Sequence, residues 1–242
     1  MMVIEGFRGY VDLLIVFSAL LAAIAGIITL GAFFHNKLKD LFDDVNYFIF
    51  FFLAVGYSLY ALGEVSFYLT SNVFNDVSSM GIADVYWTGG AVLILISFIA
   101  LAVTLFRRER GSNSLLINAV IGAAIVVIVS YLVFGVTKPN YFFGYFYPLV
   151  SSMIVAFSLS VIHFFRHLGA FGKVMALFFL SSAGILLGDI FYTYTIAQGT
   201  YTTSLLRDVS NLFYLCGYIL SFVAFVTLRL RMHALVFGKD SN

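Results

Sequence analysis

"VNYFIFFFLAVGYSLYALGEVSFYLT", Val45 to Thr70, decides what kind of protein this is. A helix needs roughly 20 apolar residues to cross a ~30 Å hydrocarbon core, and this stretch is that long with Glu64 as its only charged residue. It does not alternate apolar and polar residues, so it does not read as a strand of an outer-membrane barrel. The same texture recurs along the chain. Of 242 residues, 62% are hydrophobic and 10% charged, and the mean hydropathy is +1.03. A soluble domain carries roughly 25% charged residues, so this chain has too few to cover a water-facing surface. The sequence predicts an all-α integral membrane protein. With a net charge of +1 and no face rich in Lys or Arg, nothing suggests nucleic acid as a partner.

Apolar runs between charged residues predict seven transmembrane helices, near 11–34, 45–69, 85–106, 115–136, 143–165, 172–195 and 209–230. Arg8, Lys138 and Arg207 fall on one side of this arrangement. The other ten of the 13 cations, from Lys37 to Lys239, fall on the opposite side. The richer side is expected to be cytoplasmic, which places the N-terminus outside and the C-terminus inside a cell membrane. Glu5, Arg8 and Asp12 replace the basic start of a signal peptide, so the first apolar run reads as a retained helix. The segment after the last run, "RLRMHALVFGKDSN", is too short for a catalytic domain. Any output is expected to pass through cytoplasmic loops such as "FRRERGS" to a partner protein or a second copy of the chain.

Inside the opening stretch, "LGEVSFY" places Glu64 after Leu-Gly, and "LGDIFYT" repeats the figure with Asp189, 125 positions on (189 minus 64). The repeat extends into the helix that follows each. Aligning Gly90 with Gly217 pairs Trp87 with Tyr214, Tyr86 with Phe213 and Asp84 with Asn211. Residues 11–106 and 143–230 thus read as two parallel copies of a three-helix unit, with 115–136 as the linker helix. No convincing match between the first and fifth helices supports this. Parallel repeats place a shared site at their interface.

An ionised carboxylate at the bilayer centre costs about 2.5–3.5 kcal/mol, so each acid needs partners. Tyr57 and Tyr60 share the helical face of Glu64, and Tyr192 follows Asp189 by three. The expected pocket opens outward between helices 2, 3, 6 and 7. Glu64 and Asp189 would take a polar or cationic group, with Tyr57, Tyr60, Trp87, Tyr192 and Tyr214 around an apolar body. Asp84, Asn211 and Arg207 stand near its mouth. Asp84 and Asp208 also suit helix N-caps, and Arg207 could pair with Asp189 or hold an anionic group. Both acids could equally be structural, bonded to tyrosines of neighbouring helices.

Other chemistries find little support. His163 and His167 share a helical face and are weak metal candidates, for which a third ligand would have to come from Asp40, Asp43, Asp44 or Glu109. Seven-helix hydrolases of the ceramidase kind need histidines beside their carboxylates, whereas here the two groups fall on opposite sides. Retinal needs a lysine inside a span, and all five lysines are expected in loops or the tail, so no covalent retinal cofactor is expected. Nucleophile elbows, phosphate-binding glycine loops and Cys-x-x-Cys pairs are missing, and no enzymatic activity is expected. Cys216, the single cysteine, reads as a small core residue.

The pattern "GDIFYTYTIAQGTY…DVSNLFYLCGYIL", with its counterpart around Glu64, resembles the seven-helix sensor regions that precede diguanylate cyclase or histidine kinase domains in bacteria and archaea. The resemblance covers helices 2–3 and 6–7. It implies signal transduction by a prokaryotic, receptor-like sensor binding a small-molecule ligand in the membrane, with Glu64, Asp189 and the aromatics lining the site. The expected departure is that no output domain follows Asn242. The three-plus-one-plus-three plan is also similar to sugar transporters of the PQ-loop family, but neither Pro139 nor Pro148 is followed by glutamine. A small-molecule or proton-coupled transporter is the alternative, and a structural subunit of a membrane complex a further one.

Overall fold

The computed structural model describes residues 2–33, 41–74, 81–108, 113–137, 142–165 and 170–237. Its helices are α1 (Met2–Phe33), α2 (Val45–Tyr68), α3 (Ile82–Arg108), α4 (Asn113–Tyr131), α5 (Phe142–Phe165), α6 (Ala170–Ala197) and α7 (Leu205–Phe237). All seven are long and apolar enough to cross a membrane, which makes the chain a multi-pass, all-helical protein. Wide π-helical turns extend α2 over Leu69–Val73 and α4 over Leu132–Thr137. The described residues contain no strand.

Helix ends follow from local capping. The Asp44 side chain accepts from the N–H groups of Asn46 and Tyr47, at 3.0 and 3.2 Å, and starts α2. Ser204 does the same for α7, accepting from Leu206 at 3.0 Å. The expected cap Asp208 instead lies in the first turn of α7 and pairs with Arg8. Asp84, in the first turn of α3, reaches back to accept from the Gly81 N–H at 2.9 Å. Lys173, expected in a loop, stands near the start of α6, sixteen residues or about 24 Å of helix before Asp189.

Six helices close into a ring. α1 packs on α2 and α7, α3 on α2 and α5, and α6 on α5 and α7. The closest approaches run through glycine. A Cβ on Gly90 would stand 2.8 Å from the Gly56 carbonyl oxygen, so α2 and α3 meet backbone to backbone there. At the α6–α7 contact a Cβ on Gly217 would stand 3.2 Å from the Ser181 carbonyl oxygen. Such small-residue contacts are how helices associate in lipid, where water supplies no hydrophobic drive between them.

The fourth helix stands outside the ring, against α5 and, through its terminal π turn, α6. Gly122 lies over Ala156, and Phe134 stacks on Tyr145 with centroids 4.5 Å apart. Much of its surface, including Val120, Val127 and Tyr131, is exposed. The expected core position of Cys216 is wrong. The residue is exposed, on a stripe with Leu212, Ile219 and Val223 that turns outward from α7. Apolar residues line both faces of this helix, so composition could not say which face is the core.

Inside the ring, one half is closely packed, with a cavity of only about 10 Å³ beside Tyr57 and Ile94. The rings of Tyr57, Phe178 and Phe225 meet edge-on or tilted at 5.0 to 6.5 Å, and Phe98, Val161, Val174 and Leu228 are buried near them. The other half, toward the α2–α3 and α6–α7 connections, is hollow.

Candidate functional site

The Leu-Gly-acid figure has a steric cause. A Cβ on Gly63 would lie 2.4 Å from Cδ1 of Trp87, and one on Gly188 would lie 2.7 Å from Cε1 of Tyr214. Each glycine is therefore a seat on which a flat ring from the next helix lies against the backbone. The residue after the seat, Glu64 or Asp189, then projects beside that ring. Both acids line one cavity.

Each carboxylate is held by hydroxyl groups from other helices. Tyr218 of α7 donates to Glu64 at 2.7 Å, and Tyr214, one turn earlier, donates to Asp189 at 2.7 Å. Ser151 of α5 also donates to Asp189. Buried carboxylates are tolerated when hydrogen-bonded, but hydroxyls bring no positive charge. Among the described residues no Lys or Arg pairs with either acid, since the two ion pairs present are Arg8–Asp208 and Arg207–Asp12. The buried indole N–H of Trp87 stands near Glu64 without closing a hydrogen bond of good geometry.

The cavity draws on all six ring helices. Asp12 and Ile15 come from α1, Tyr60, Glu64, Phe67 and Tyr68 from α2, and Trp87 from α3. Tyr147 comes from α5, Ile185, Asp189 and Tyr192 from α6, Tyr201 from the following turn, and Asn211, Tyr214 and Tyr218 from α7. Its free space is about 60 Å³ on the scale of water-sized spheres. A water takes roughly 10–15 Å³ on that scale, so the cavity accommodates about four to six waters or a compact organic molecule.

A polar clasp borders it on the α1–α7 side. Asp12 accepts from Arg207 at 3.1 Å and from Asn211 at 2.7 Å. The Arg207 guanidinium also lies 4.8 Å from the Tyr201 ring centroid. Burial pushes the Tyr201 phenol up to about 12, the nearby Arg207 only partly opposing it, so this ring stays neutral. Arg8 pairs with Asp208 at 2.9 Å and donates to the carbonyls of Thr202 and Ser204, tying down the α6–α7 turn. That turn includes Gly199 at φ +66°, where glycine is favoured.

Of the residues expected at the site, Glu64, Asp189, Tyr60, Trp87, Tyr192, Tyr214 and Asn211 line the cavity. Tyr57 does not. It is 1% exposed, below the cavity floor, with its hydroxyl 3.3 Å from that of Ser181. The Glu64 carboxylate takes its hydrogen bond from Tyr218 of α7 and not from the tyrosines of its own helix. Asp84 stands behind the wall, accepting from Tyr147 at 2.7 Å. Arg207 pairs with Asp12 rather than Asp189.

Asp12, Tyr147, Tyr201 and Tyr218 join the wall without having been expected there. Tyr218 lies one residue past the matched Gly217, and the repeat gives Ala91 at the corresponding place, so no duplication pointed to it. Among the described residues no three His, Cys, Asp or Glu side chains are placed to hold a metal. His167 and the side chain of His163 lie outside the described residues. No family model, no curated protein and no solved structure matches this chain.

Proposed function

We propose that this protein is a receptor-like membrane sensor that binds a small ligand in the cavity between α2, α3, α6 and α7, with α1 and α5 completing the wall. One observation carries the reading. Two acids from separate helices share a hollow in which nine of the fifteen lining residues are aromatic, whereas a second cavity in the ring, beside Tyr57 and Ile94, is only about 10 Å³. Such a site suits a ligand with a polar or cationic group on an apolar body. A ligand touching α2, α6 and α7 together would favour one relative placement of those helices. That preference is what a signal passed to the opposite end of the bundle requires. With the N-terminus outside, as the distribution of Lys and Arg argues, the cavity faces outward and "FRRERGS" meets a cytoplasmic partner.

A second reading, a carrier built from two parallel repeats, is favoured by matching contacts in the two halves. Gly63 seats Trp87 as Gly188 seats Tyr214, and Gly90 lies over Gly56 as Gly217 lies over Ser181. The α1–α7 contact between Asp12 and Asn211 is echoed by the α5–α3 contact between Tyr147 and Asp84. Paired halves around a central site are the plan of many carriers.

Trp87 is the only tryptophan and lines the cavity, so its fluorescence reports occupancy directly. A sensor shows saturable fluorescence changes with a binding compound and no flux of that compound in proteoliposomes. A carrier shows both, and Asp189→Asn stops the flux. A site with neither response to a broad small-molecule panel would remove both readings. Orientation is tested separately by a cysteine at the exposed Thr202 in a Cys216→Ser background. An impermeant maleimide should label it from outside intact cells.

A further inference from the structure

We infer that the cavity selects a protonated organic amine, a proposal that rests on the ligand-binding reading above and narrows its chemistry. The charge balance of the wall is the first argument. Asp12 already has Arg207 and Asn211, whereas Glu64 and Asp189 have neutral donors only, Tyr218 for the first and Tyr214 with Ser151 for the second. Two carboxylates in an apolar surround without a counter-charge are costly to keep ionised, and a bound cation removes that cost. An anionic ligand would meet the same pair as a repulsion.

The aromatic wall separates organic from inorganic cations. Small hard cations take about six or more oxygen ligands, and the wall beside the two acids is dominated by the rings of Tyr60, Trp87, Tyr147, Tyr214 and Tyr218. Tyr214 and Tyr218 have their hydroxyls committed to the acids, so what they offer a ligand is ring surface. Ring faces attract ammonium groups through their quadrupole and pack against apolar carbon. The free space sets the size, since about 60 Å³ suits a compact amine and not a long-chain lipid. The ammonium would donate to Glu64 and Asp189, and the hydrocarbon would lie between the rings of Trp87 and Tyr214.

Three isosteric probes test this on the intact chain in nanodiscs, read by Trp87 fluorescence and by melting temperature. They are isopropylamine, isopropanol and acetate, each about the size of four waters, with sodium and potassium chloride titrated alongside. Isopropylamine is expected to bind at least about tenfold more tightly than either isostere, and Glu64→Gln or Asp189→Asn to abolish the difference. The comparison among probes uses the native chain, so it stands even where a variant fails to fold. Equal or tighter binding of the alcohol or the acetate overturns the amine assignment while leaving a ligand site in place. A response to sodium or potassium alone overturns it in favour of an inorganic cation. Silence toward all five overturns it as well, and neutral acrylamide then separates the two claims. Quenching of Trp87 keeps an open site of other specificity, whereas a Trp87 that acrylamide cannot reach removes the ligand-binding reading too.

Discussion

Tyr218 donates its hydroxyl to Glu64 at 2.7 Å, joining α7 to α2 although neither helix is the other's main packing partner. It is the one hydrogen bond of good geometry to the Glu64 carboxylate among the described residues, the Trp87 indole N–H standing near the same acid without closing one. Asp189, by contrast, accepts from both Tyr214 and Ser151. Removing one partner of a buried polar pair costs about 1–3 kcal/mol. Tyr218→Phe should therefore lower the melting temperature more than Tyr214→Phe, measured on the purified protein in detergent. Equal losses would mean that Glu64 has another donor.

The ring seats make a steric prediction. Gly63→Ala forces a Cβ to 2.4 Å from Trp87, and Gly188→Ala one to 2.7 Å from Tyr214. Overpacking of this kind costs about 1–3 kcal/mol, and the displaced Trp87 ring should change its emission maximum. Gly31→Ala is the control. Nothing lies within 4 Å of its new Cβ, so the same measurements should be unchanged or slightly improved.

The two ion pairs should differ in strength because their burial differs. Side-chain exposures are 15% and 7% for Arg207–Asp12 but 13% and 28% for Arg8–Asp208. Breaking a buried pair leaves an unpaired charge and costs about 3–5 kcal/mol, and a partner left partly in solvent, as Asp208 is, lowers that cost. Arg207→Gln should be the more damaging change, and adding Asp12→Asn should recover most of the loss. A double-mutant cycle by chemical denaturation gives both coupling energies.

Tyr201, under Arg207, sets a pH window. Its phenol rises from an ordinary 10 to about 12 through burial. The unfolded chain then releases this proton first, so stability from the buried neutral ring is complete below about pH 10 and is lost between about pH 10 and 12. Tyr201→Phe should flatten that part of the melting profile.

The outer face of α4 should tolerate apolar change and reject charge. Val127 is 66% exposed, which in this chain means facing lipid. Val127→Lys should reduce membrane insertion by about 2.5–3.5 kcal/mol if it lies near the bilayer centre, while Val127→Leu should not. Glycosylation-based insertion assays read the difference.

What the residues determined alone was the architecture of spans. Val45–Thr70 and its six counterparts could be read because crossing lipid demands long apolar helices whatever their neighbours. The Leu-Gly-acid duplication also singled out Glu64, Asp189, Trp87 and Tyr214, since a repeated local figure is visible in one dimension. Only the tertiary structure decided which side chains complete the wall. Tyr218 reaches Glu64 from 154 residues away and Asp12 meets Arg207 from 195 away, and no local spacing encodes such pairs. The fate of Tyr57 and Cys216 was equally hidden. In a membrane helix both the buried and the lipid-facing sides are apolar, so the contrast that marks the inside of a soluble helix is missing, and packing alone assigns the faces.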